Sequence, residues 1–310
     1  MYLVSGGAGF IGSNIVRRLV ENGEKVRVLD DFSTGKRENL NNLEELGKLE
    51  LVEGSLTDLG AVRETVTGIH FIFHQAAIPS VPRSIAEPLI SNAANITGTL
   101  NLLEAAREAG VKRVIYAASS SAYGDTAVLP KVESMAADPM SPYAVGKYTG
   151  ELYARIYSTL HRMETVSLRY FNIFGPRQDP ASEYAAVIPK FIQAMLRGEA
   201  PTIYGDGEQT RDFTYIDNAV EANLLACKSD QVGQGEVVNI ACGERYSLNQ
   251  LVGALNDILG TSISPVYSDP KPGDVKHSLA DISRAKELLG YEVKVGFREG
   301  LERTVKWFKK

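Results

Sequence analysis

Short apolar runs alternate with segments of helical periodicity through the first half of the chain. The runs have the length and residue types of strands and lie at 2–5, 25–30, 49–53, 70–74, 113–118 and 165–171. Between the first two runs, Ile11, Ile15 and Leu19 repeat at helical spacing. Regular alternation of strand and helix predicts an α/β fold in which helices cover both faces of a parallel sheet. The doubly wound Rossmann arrangement fits this pattern.

The texture of the sequence changes after residue 171. Segments rich in Gly, Pro and Asp then separate shorter helical patterns, at 174–180, 205–209 and 268–273. For a chain of 310 residues, we therefore predict a larger domain at 1–170 and a smaller α/β lobe at 171–310, with a cleft between them. Parts of 213–242, which contain a helix and a strand, are expected to rejoin the first domain.

The amino-acid composition excludes several classes of partner and site. The net charge is -5, and Lys and Arg stand singly, so we expect no nucleic-acid partner. Cys227 and Cys242 are too few for a disulfide framework, and neither they nor the histidines have metal-ligand spacing. The sequence shows no signal peptide before the first strand and no apolar stretch near the ~20 residues that span a bilayer. We expect a soluble cytoplasmic protein with no metal site and no membrane association.

Three glycines follow the first strand directly and open a helix. Gly6, Gly9 and Gly12 would let backbone amides approach a pyrophosphate at the positive end of that helix. Their spacing is GxxGxxG rather than GxGxxG, so by themselves they also fit a structural turn. Asp30 ends the second strand, where a carboxylate accepts hydrogen bonds from adenosine ribose hydroxyls and repels a 2′-phosphate. The pattern predicts NAD rather than NADP, unless Asp30 is only a solvated strand end.

A serine, a tyrosine and a lysine have the arrangement of a hydride-transfer site. Ser141 and Pro142 suit a helix start, which places Tyr143 in the first turn and Lys147 one turn further on the same face. Lys147, a cationic nicotinamide and the helix end would all favour the phenolate of Tyr143, which could then take a proton from a substrate hydroxyl. Ser119 ends a strand and could steady the same oxygen.

Tyrosine and lysine at this spacing are also common on ordinary helices. The conjunction with a cofactor loop and with Ser119 favours the catalytic interpretation. His74 lies at a strand end among apolar residues and is interpreted as structural.

These residues, in this order, resemble the extended short-chain dehydrogenase/reductase family, in particular its nucleotide-sugar epimerases and dehydratases. The resemblance covers nearly the whole chain and is carried by the glycine loop, by Tyr143 and Lys147, and by the segments 74–77, 95–99, 119–124, 170–175 and 211–217. It implies an NAD-binding Rossmann domain and a lobe that binds a nucleotide sugar. It also implies a homodimer, because the helices that begin near Asn95 and Pro142 pair with their copies in a four-helix bundle in this family.

The resemblance also assigns the binding residues. Those implied for NAD are Gly6, Gly9, Phe10, Ile11, Gly12, Asp30, Asp31, Ser33, Thr34, Gly35, Ser55, Leu56, Gln75, Ala76, Ala77, Asn95 and Phe171. Those implied for the UDP-sugar are Ser80, Ser120, Ser121, Asn172, Ala186, Val187, Thr202, Tyr204, Arg211, Lys271, Asp274 and Ser278. Two residues depart from the common pattern: Ser55 replaces an acidic contact to adenine, and Lys271 replaces an arginine that clasps the diphosphate.

Two positions in the sequence bear on the reaction and on the sugar. Dehydratases of the family carry an acidic pair after the position of Ser119, whereas this chain has Ser120 and Ser121, so elimination is disfavoured and reversible oxidation at C4 remains. Ser278 occupies a position where enzymes restricted to plain hexoses carry a bulky aromatic residue, which predicts that an N-acetyl group is accommodated. The segments 80–84, 116–125 and 177–180 are also most similar to enzymes acting on UDP-N-acetylglucosamine.

Several alternatives stay open at this point. Ser278 could be an ordinary loop serine, and the substrate could be UDP-glucose or UDP-glucuronate. A dehydratase, a decarboxylase or a non-catalytic NAD-binding protein on the same fold is a more distant alternative.

Overall fold

The computed structural model describes residues 1–43, 47–180, 186–270 and 275–309. The strands are β1 Tyr2–Ser5, β2 Val26–Asp30, β3 Leu49–Glu53, β4 Phe71–His74, β5 Arg113–Ser119, β6 Glu164–Tyr170, β7 Ile173–Phe174, β8 Thr202–Tyr204, β9 Thr210–Arg211, β10 Thr214–Tyr215, β11 Gln234–Ile240, β12 Tyr246–Ser247 and β13 Val266–Ser268. The helices are α1 Phe10–Glu21, α2 Leu59–Val66, α3 Val81–Ala86, α4 Pro88–Asn92, α5 Gly98–Glu108, α6 Pro142–His161, α7 Val187–Leu196, α8 Ile216–Lys228, α9 Leu248–Leu259, α10 Ser283–Leu289 and α11 Phe297–Phe308. Short 3₁₀ helices occupy Arg37–Leu40 and Ser120–Tyr123, and a π-helical turn occupies Ala93–Thr97.

Seven parallel strands form the main sheet, in the order β11-β6-β5-β4-β1-β2-β3. The six strands predicted from the sequence are all present, and each boundary is within one residue of the prediction. The predicted doubly wound α/β fold is therefore confirmed. The apolar runs predict it because the inner strands β1, β2, β4, β5 and β6 are buried on both faces and are therefore largely apolar on both.

The two faces of the sheet carry separate apolar layers. Neighbouring residues of a strand point to opposite faces, so Val4 belongs to one layer and Leu3 to the other. On the face of Val4, α1 and α8 pack through Ile15 and Val220, and this layer continues into the second half of the chain. On the face of Leu3, α2 and α5 provide the cover.

The second half of the chain both joins the main sheet and builds its own small layers. Strand β11 pairs with β6 at the edge of the main sheet. The remaining strands form three two-stranded sheets: β10 with β7, β12 with β9, and β13 with β8. The division into a domain at 1–170 and a lobe at 171–310 stays a prediction. No helix among the described residues is long and apolar enough to cross a membrane.

Candidate active site

A large cavity lies where the carboxyl ends of the main strands meet the second half of the chain. Its volume is about 1870 Å³, several times that of a pocket for one small ligand. The glycine loop lines one part of it, and Tyr143 lines another. Residues of the second half, among them Asn172 and Ser278, complete the wall. In open α/β sheets this edge is where ligands bind.

The backbone of the glycine loop leaves no room for a side chain at Gly6 or at Gly12. Gly6 has a φ of +69°, and a Cβ there would lie 2.6 Å from the Cα of Ala76. A Cβ on Gly12 would lie 2.1 Å from the carbonyl oxygen of Gly6. Gly9 precedes the first turn of α1 and has no side chain to cap its N–H groups. Tight backbone and uncapped amides at a helix start fit a pyrophosphate, as the sequence predicted.

Asp30 is part of the loop's support rather than a solvated strand end. It is 7% exposed, and its carboxylate accepts hydrogen bonds from the N–H of Ala8 at 2.8 Å and of Phe32 at 2.9 Å. Burial raises the pKa of Asp30, and these two bonds act in the opposite direction. Each carboxylate oxygen keeps a second lone pair, so Asp30 can still accept from ribose hydroxyls.

Nearly all the residues predicted to hold NAD line this cavity. They are Gly6, Gly9, Phe10, Ile11, Gly12, Asp30, Asp31, Ser33, Thr34, Gly35, Ser55, Leu56, Gln75, Ala76, Ala77 and Phe171. Asn95 differs: it is buried behind the wall, where its side chain accepts from the N–H of Ile78 at 2.8 Å. Asn95 therefore holds the loop after β4 in place rather than facing the cavity.

The start of α6 places Tyr143 in the cavity. The hydroxyl of Ser141 accepts from the N–H of Ala144 at 3.2 Å, and Pro142 occupies the first helical position. The N–H of Tyr143 has its own acceptor, the hydroxyl of Ser84, at 3.0 Å. The helix start predicted from Ser141 and Pro142 is thus present.

Lys147 lies one turn further along α6, behind the cavity wall. It is 4% exposed, and its ammonium donates to the carbonyl of Ala117 at 2.8 Å. Burial lowers the pKa of Lys147 to about 7. Burial also raises the pKa of Tyr143, whereas a hydrogen bond with the Ser119 side chain lowers it. The charges that favour the phenolate are visible in the sequence, whereas this desolvation cost arises only from packing.

Ser119 ends β5, and its hydroxyl hydrogen is free to donate a hydrogen bond into the site. Its Oγ accepts from the backbone N–H of Ser121 at 3.2 Å and from the Ser121 hydroxyl at 2.8 Å. Because both bonds use lone pairs, the hydrogen of Ser119 is available for the Tyr143 oxygen or for a substrate oxygen. Ser120 and Ser121 also line the cavity.

Most of the residues predicted to bind the UDP-sugar line the same cavity. Those that line it are Ser80, Ser120, Ser121, Asn172, Ala186, Val187, Thr202, Tyr204, Arg211 and Ser278. Lys271 and Asp274 lie outside the described residues. Asn172 has a φ of +37° and donates from its amide to the hydroxyl of Ser278 at 3.1 Å. The N–H of Asp212 also donates to that hydroxyl, at 3.3 Å, so Ser278 is fixed in the wall.

His74 is structural, as predicted. Its Nδ1 lies 2.8 Å from the hydroxyl of Ser5, and its Nε2 lies 2.9 Å from that of Thr99. Thr99 donates its own hydrogen to the carbonyl of Asn95 at 2.7 Å, so Nε2 of His74 carries the hydrogen and Nδ1 accepts from Ser5. Complete burial lowers the pKa of His74 to about 3, and the ring is neutral.

Sequence reasoning missed several residues of the site. Lys131 and His277 line the cavity, but they lie far apart along the chain and in no recognisable motif. Lys36 and Asp179 line it as well and form an ion pair at 2.8 Å between the two halves of the chain. Asp179 lies in the segment 177–180 that carries the resemblance, but only folding brings it to Lys36, so no local pattern predicts their ion pair.

Comparison with known proteins agrees with this geometry. Residues 2–241 match the NAD dependent epimerase/dehydratase family. The UDP-glucose 4-epimerase of Mycolicibacterium smegmatis is 39% identical over 311 residues, which cover 99% of this chain and 98% of that protein.

Two solved structures are similar over nearly the whole chain. The UDP-N-acetylglucosamine 4-epimerase of Methanobrevibacter ruminantium, in complex with UDP-N-acetylmuramic acid, is 44% identical with a TM-score of 0.95; the match covers 99% of this chain and 97% of that one. The UDP-glucose 4-epimerase of Thermotoga maritima, with UDP-glucose, is 42% identical with a TM-score of 0.94; the match covers 99% and 98%. The two relatives are named for different sugars.

Proposed function

Since the chain belongs to the NAD dependent epimerase/dehydratase family, we propose that it inverts C4 of a UDP-hexose through a transient 4-keto sugar. It is an NAD-dependent enzyme of the epimerase type, as the resemblance predicted. The observation that carries the proposal is the place of Tyr143, which lines the same cavity as the glycine loop and is hydrogen-bonded to Ser119.

The chain's own residues supply the proton chemistry of this reaction. NAD held at the glycine loop would supply the reversible hydride chemistry at C4 of the sugar. Tyr143 takes the proton of the C4 hydroxyl during oxidation and gives it back during reduction. Ser119 donates its hydroxyl hydrogen to the same sugar oxygen. The ammonium of Lys147, held by Ala117 behind Tyr143, offsets the charge of the phenolate.

The UDP half of the substrate is assigned to the second half of the chain. The cavity wall there includes Asn172, Val187, Tyr204 and Arg211. A charged guanidinium at Arg211 suits a diphosphate. These roles follow the family resemblance and the shared cavity.

UDP-N-acetylglucosamine and UDP-N-acetylgalactosamine are the proposed pair of sugars. The two similar structures are nearly equal in identity, so identity does not choose between the sugars. Ser278 supports the N-acetylated pair because it lines the cavity and its small side chain is held there by Asn172 and the backbone of Asp212. UDP-glucose and UDP-glucuronate are the alternatives, since an N-acetyl group that fits does not exclude a smaller substituent.

The test is NMR of the purified protein mixed separately with UDP-GlcNAc, UDP-GalNAc and UDP-glucose, with NAD present. The proposal expects each N-acetylated sugar to become the same mixture of the two, without net consumption of NAD. Signals of a deoxy-keto sugar would instead identify a dehydratase. Turnover of UDP-glucose alone would keep the epimerase and reject the sugar assignment.

A homodimer through α4, α5 and α6 is the proposed assembly. On α6, Val145, Ile156 and Leu160 are exposed at helical spacing, and Leu160 is 70% exposed. On the neighbouring α4, Leu89 is 84% exposed. An exposed apolar stripe on α6 beside the exposed Leu89 of α4 fits a twofold helix bundle with a second copy.

A further inference from the structure

Tyr116 is a buried tyrosine that the proposed reaction does not use. It lies on β5 three residues before Ser119, and no part of it lines the cavity. Its hydroxyl donates to the backbone carbonyl of Lys147 at 3.2 Å. Its ring lies beneath the same residue, with 5.2 Å between the ring centroid and the Lys147 ammonium. Tyr116 therefore contacts Lys147 at both its backbone and its charge.

Consecutive residues of β5 hold the lysine ammonium. Ala117 accepts its hydrogen bond through a carbonyl at 2.8 Å, and Tyr116 presents an aromatic face to it. The negative face of an aromatic ring attracts a cation within about 6 Å, and the attraction grows when water is excluded. Both contacts favour the charged form of Lys147, whereas burial disfavours it.

The helix makes room for the tyrosine at one position. Gly150 lies three residues after Lys147 on α6, and a Cβ there would come within 2.2 Å of the Tyr116 hydroxyl. A side chain at residue 150 would push the ring or the helix away. The contact thus depends on Tyr116 and Gly150 together.

We propose that Tyr116 is a positioning residue for the epimerase, whose ring keeps the ammonium of Lys147 charged behind Tyr143 and whose hydroxyl fixes the helix at Lys147. The inference rests on the proposed function, in which the charged form of Lys147 is the active one. Tyr116 itself stays a neutral phenol, because complete burial raises its pKa.

Apart from the phenolate of Tyr143, the titratable groups packed around Lys147 do not stabilise its charged form. On β4, His74 is neutral and uses both ring nitrogens elsewhere. On α6, Glu151 is committed to Arg169 of β6 through two hydrogen bonds of 2.9 and 2.6 Å. Tyr143, also on α6, is the phenolate that the ammonium stabilises when a substrate proton is taken, and its charge acts alike in the wild type and in every Tyr116 variant.

The test compares Tyr116→Phe, which keeps the ring, with Tyr116→Leu and Tyr116→Met, which remove it. Activity should fall at alkaline pH as Lys147 loses its proton. Without the ring the pKa of Lys147 falls, so the alkaline limb of the pH profile of kcat should move to lower pH by about one unit in the Leu and Met variants. The Phe variant should keep the wild-type limb. KM should stay unchanged in all three, because Tyr116 does not reach the cavity.

A second measurement does not depend on turnover. In protein labelled with ¹³C at lysine Cε and saturated with NAD, the Lys147 signal, assigned through its loss in Lys147→Met, should titrate about one unit lower in the Leu and Met variants than in the wild type and Tyr116→Phe. An unchanged titration in both ring-less variants would overturn the inference. Equal shifts in all three variants would also overturn it, because the hydroxyl would then be responsible. If the wild type turns over no UDP-sugar, the proposed function fails, while the NMR titration still decides the role of the ring.

Discussion

Tyr143 and Lys147 show how burial and charge compete at one site. Burial raises the pKa of Tyr143 and lowers that of Lys147 to about 7, so it works against both charged forms. The hydrogen bond with Ser119, the carbonyl of Ala117 and the ring of Tyr116 act in the other direction. These contacts offset part of the desolvation cost and so favour the charged forms that proton transfer needs.

Replacing Tyr143 by Phe should reduce kcat for the UDP-sugar by about two to four orders of magnitude, the usual worth of a general acid-base group. NAD binding should persist, because the glycine loop is untouched. Steady-state rates of epimerisation check this. Tyr153→Phe is the matched control: Tyr153 lies on the same helix but packs against the apolar layer of α2 and α5, and its variant should keep wild-type rates. Full activity in Tyr143→Phe would show that another group moves the proton.

Ser278→Tyr should remove turnover of UDP-GlcNAc while leaving that of UDP-glucose within a few-fold of the wild type. The added ring would occupy the space that the N-acetyl group needs, since Ser278 lines the cavity and is fixed there by Asn172. Rates on both sugars provide the measurement, with Ser278→Ala as the control that keeps the space and removes only the hydroxyl. Unchanged turnover of UDP-GlcNAc in Ser278→Tyr would reject Ser278 as the residue that selects the sugar.

At the scale of the elements, a buried hydrogen-bond chain ties β1, β4 and α5 together. Ser5 donates to His74, which donates to Thr99, which donates to Asn95. Asn95 in turn holds the loop after β4 through Ile78. The chain links the strand that precedes the glycine loop to the wall of the cavity, so the neutral state of His74 matters beyond the residue itself.

Acid should weaken the fold through His74. Its pKa is about 3 in the folded chain and about 6.5 when unfolded, so the unfolded chain binds the proton first as pH falls. The stability that His74 contributes is complete above pH 6.5 and is lost progressively down to pH 3. Between pH 7 and 5 the loss should be about 2 kcal/mol, measured by urea unfolding.

His74→Gln should lack this part of the acid dependence, because glutamine stays neutral in both states. Asp212 works in the opposite direction: burial raises its pKa to about 6, so protonation below that pH favours the folded chain. The comparison between wild type and His74→Gln cancels this second effect. An identical pH dependence in the two proteins would exclude His74 as the source.

At the scale of the whole molecule, the two halves of the chain share one sheet and one apolar layer. Strand β11 extends the main sheet beyond β6, and the layer around Val4 runs on into α9 and α11. The cavity lies between the halves, and residues assigned to NAD and to the UDP-sugar both line it. The proposed hydride transfer between a sugar carbon and a nicotinamide requires both to be bound in one cavity.

The protein should be a dimer in solution at micromolar concentration, as measured by light scattering. Ile156→Glu, in the middle of the exposed stripe of α6, should shift it toward the monomer, because a charge in an apolar helix interface lacks a partner. Val266→Glu is the control, since Val266 is 55% exposed, against 45% for Ile156, and lies on β13, which pairs with β8 in a separate small sheet. A wild-type monomer would count against the proposed bundle.

The sequence by itself determined the sheet and the local chemistry of the site. The strands and the start of α6 follow from apolar periodicity, from Ser141 and from Pro142, which act over a few residues. The glycine loop is local only in part: Gly12 approaches Gly6, six residues earlier, whereas Gly6 approaches Ala76 after β4, which folding brings beside β1. The local features can be predicted from a sequence pattern because residues close together in the chain determine them.

Tertiary structure alone decided the pKa shifts in the site and the choice of residues that line the cavity. Desolvation of Tyr143 and Lys147 depends on everything packed around them, which no local pattern contains. Asn95 supports the cavity wall through Ile78 and does not line the cavity, and Tyr116 lies beneath Lys147. Both contacts arise because folding packs segments that are distant in the chain against each other. Burial and long-range packing are properties of the folded chain, and they set which of the encoded residues face the reaction.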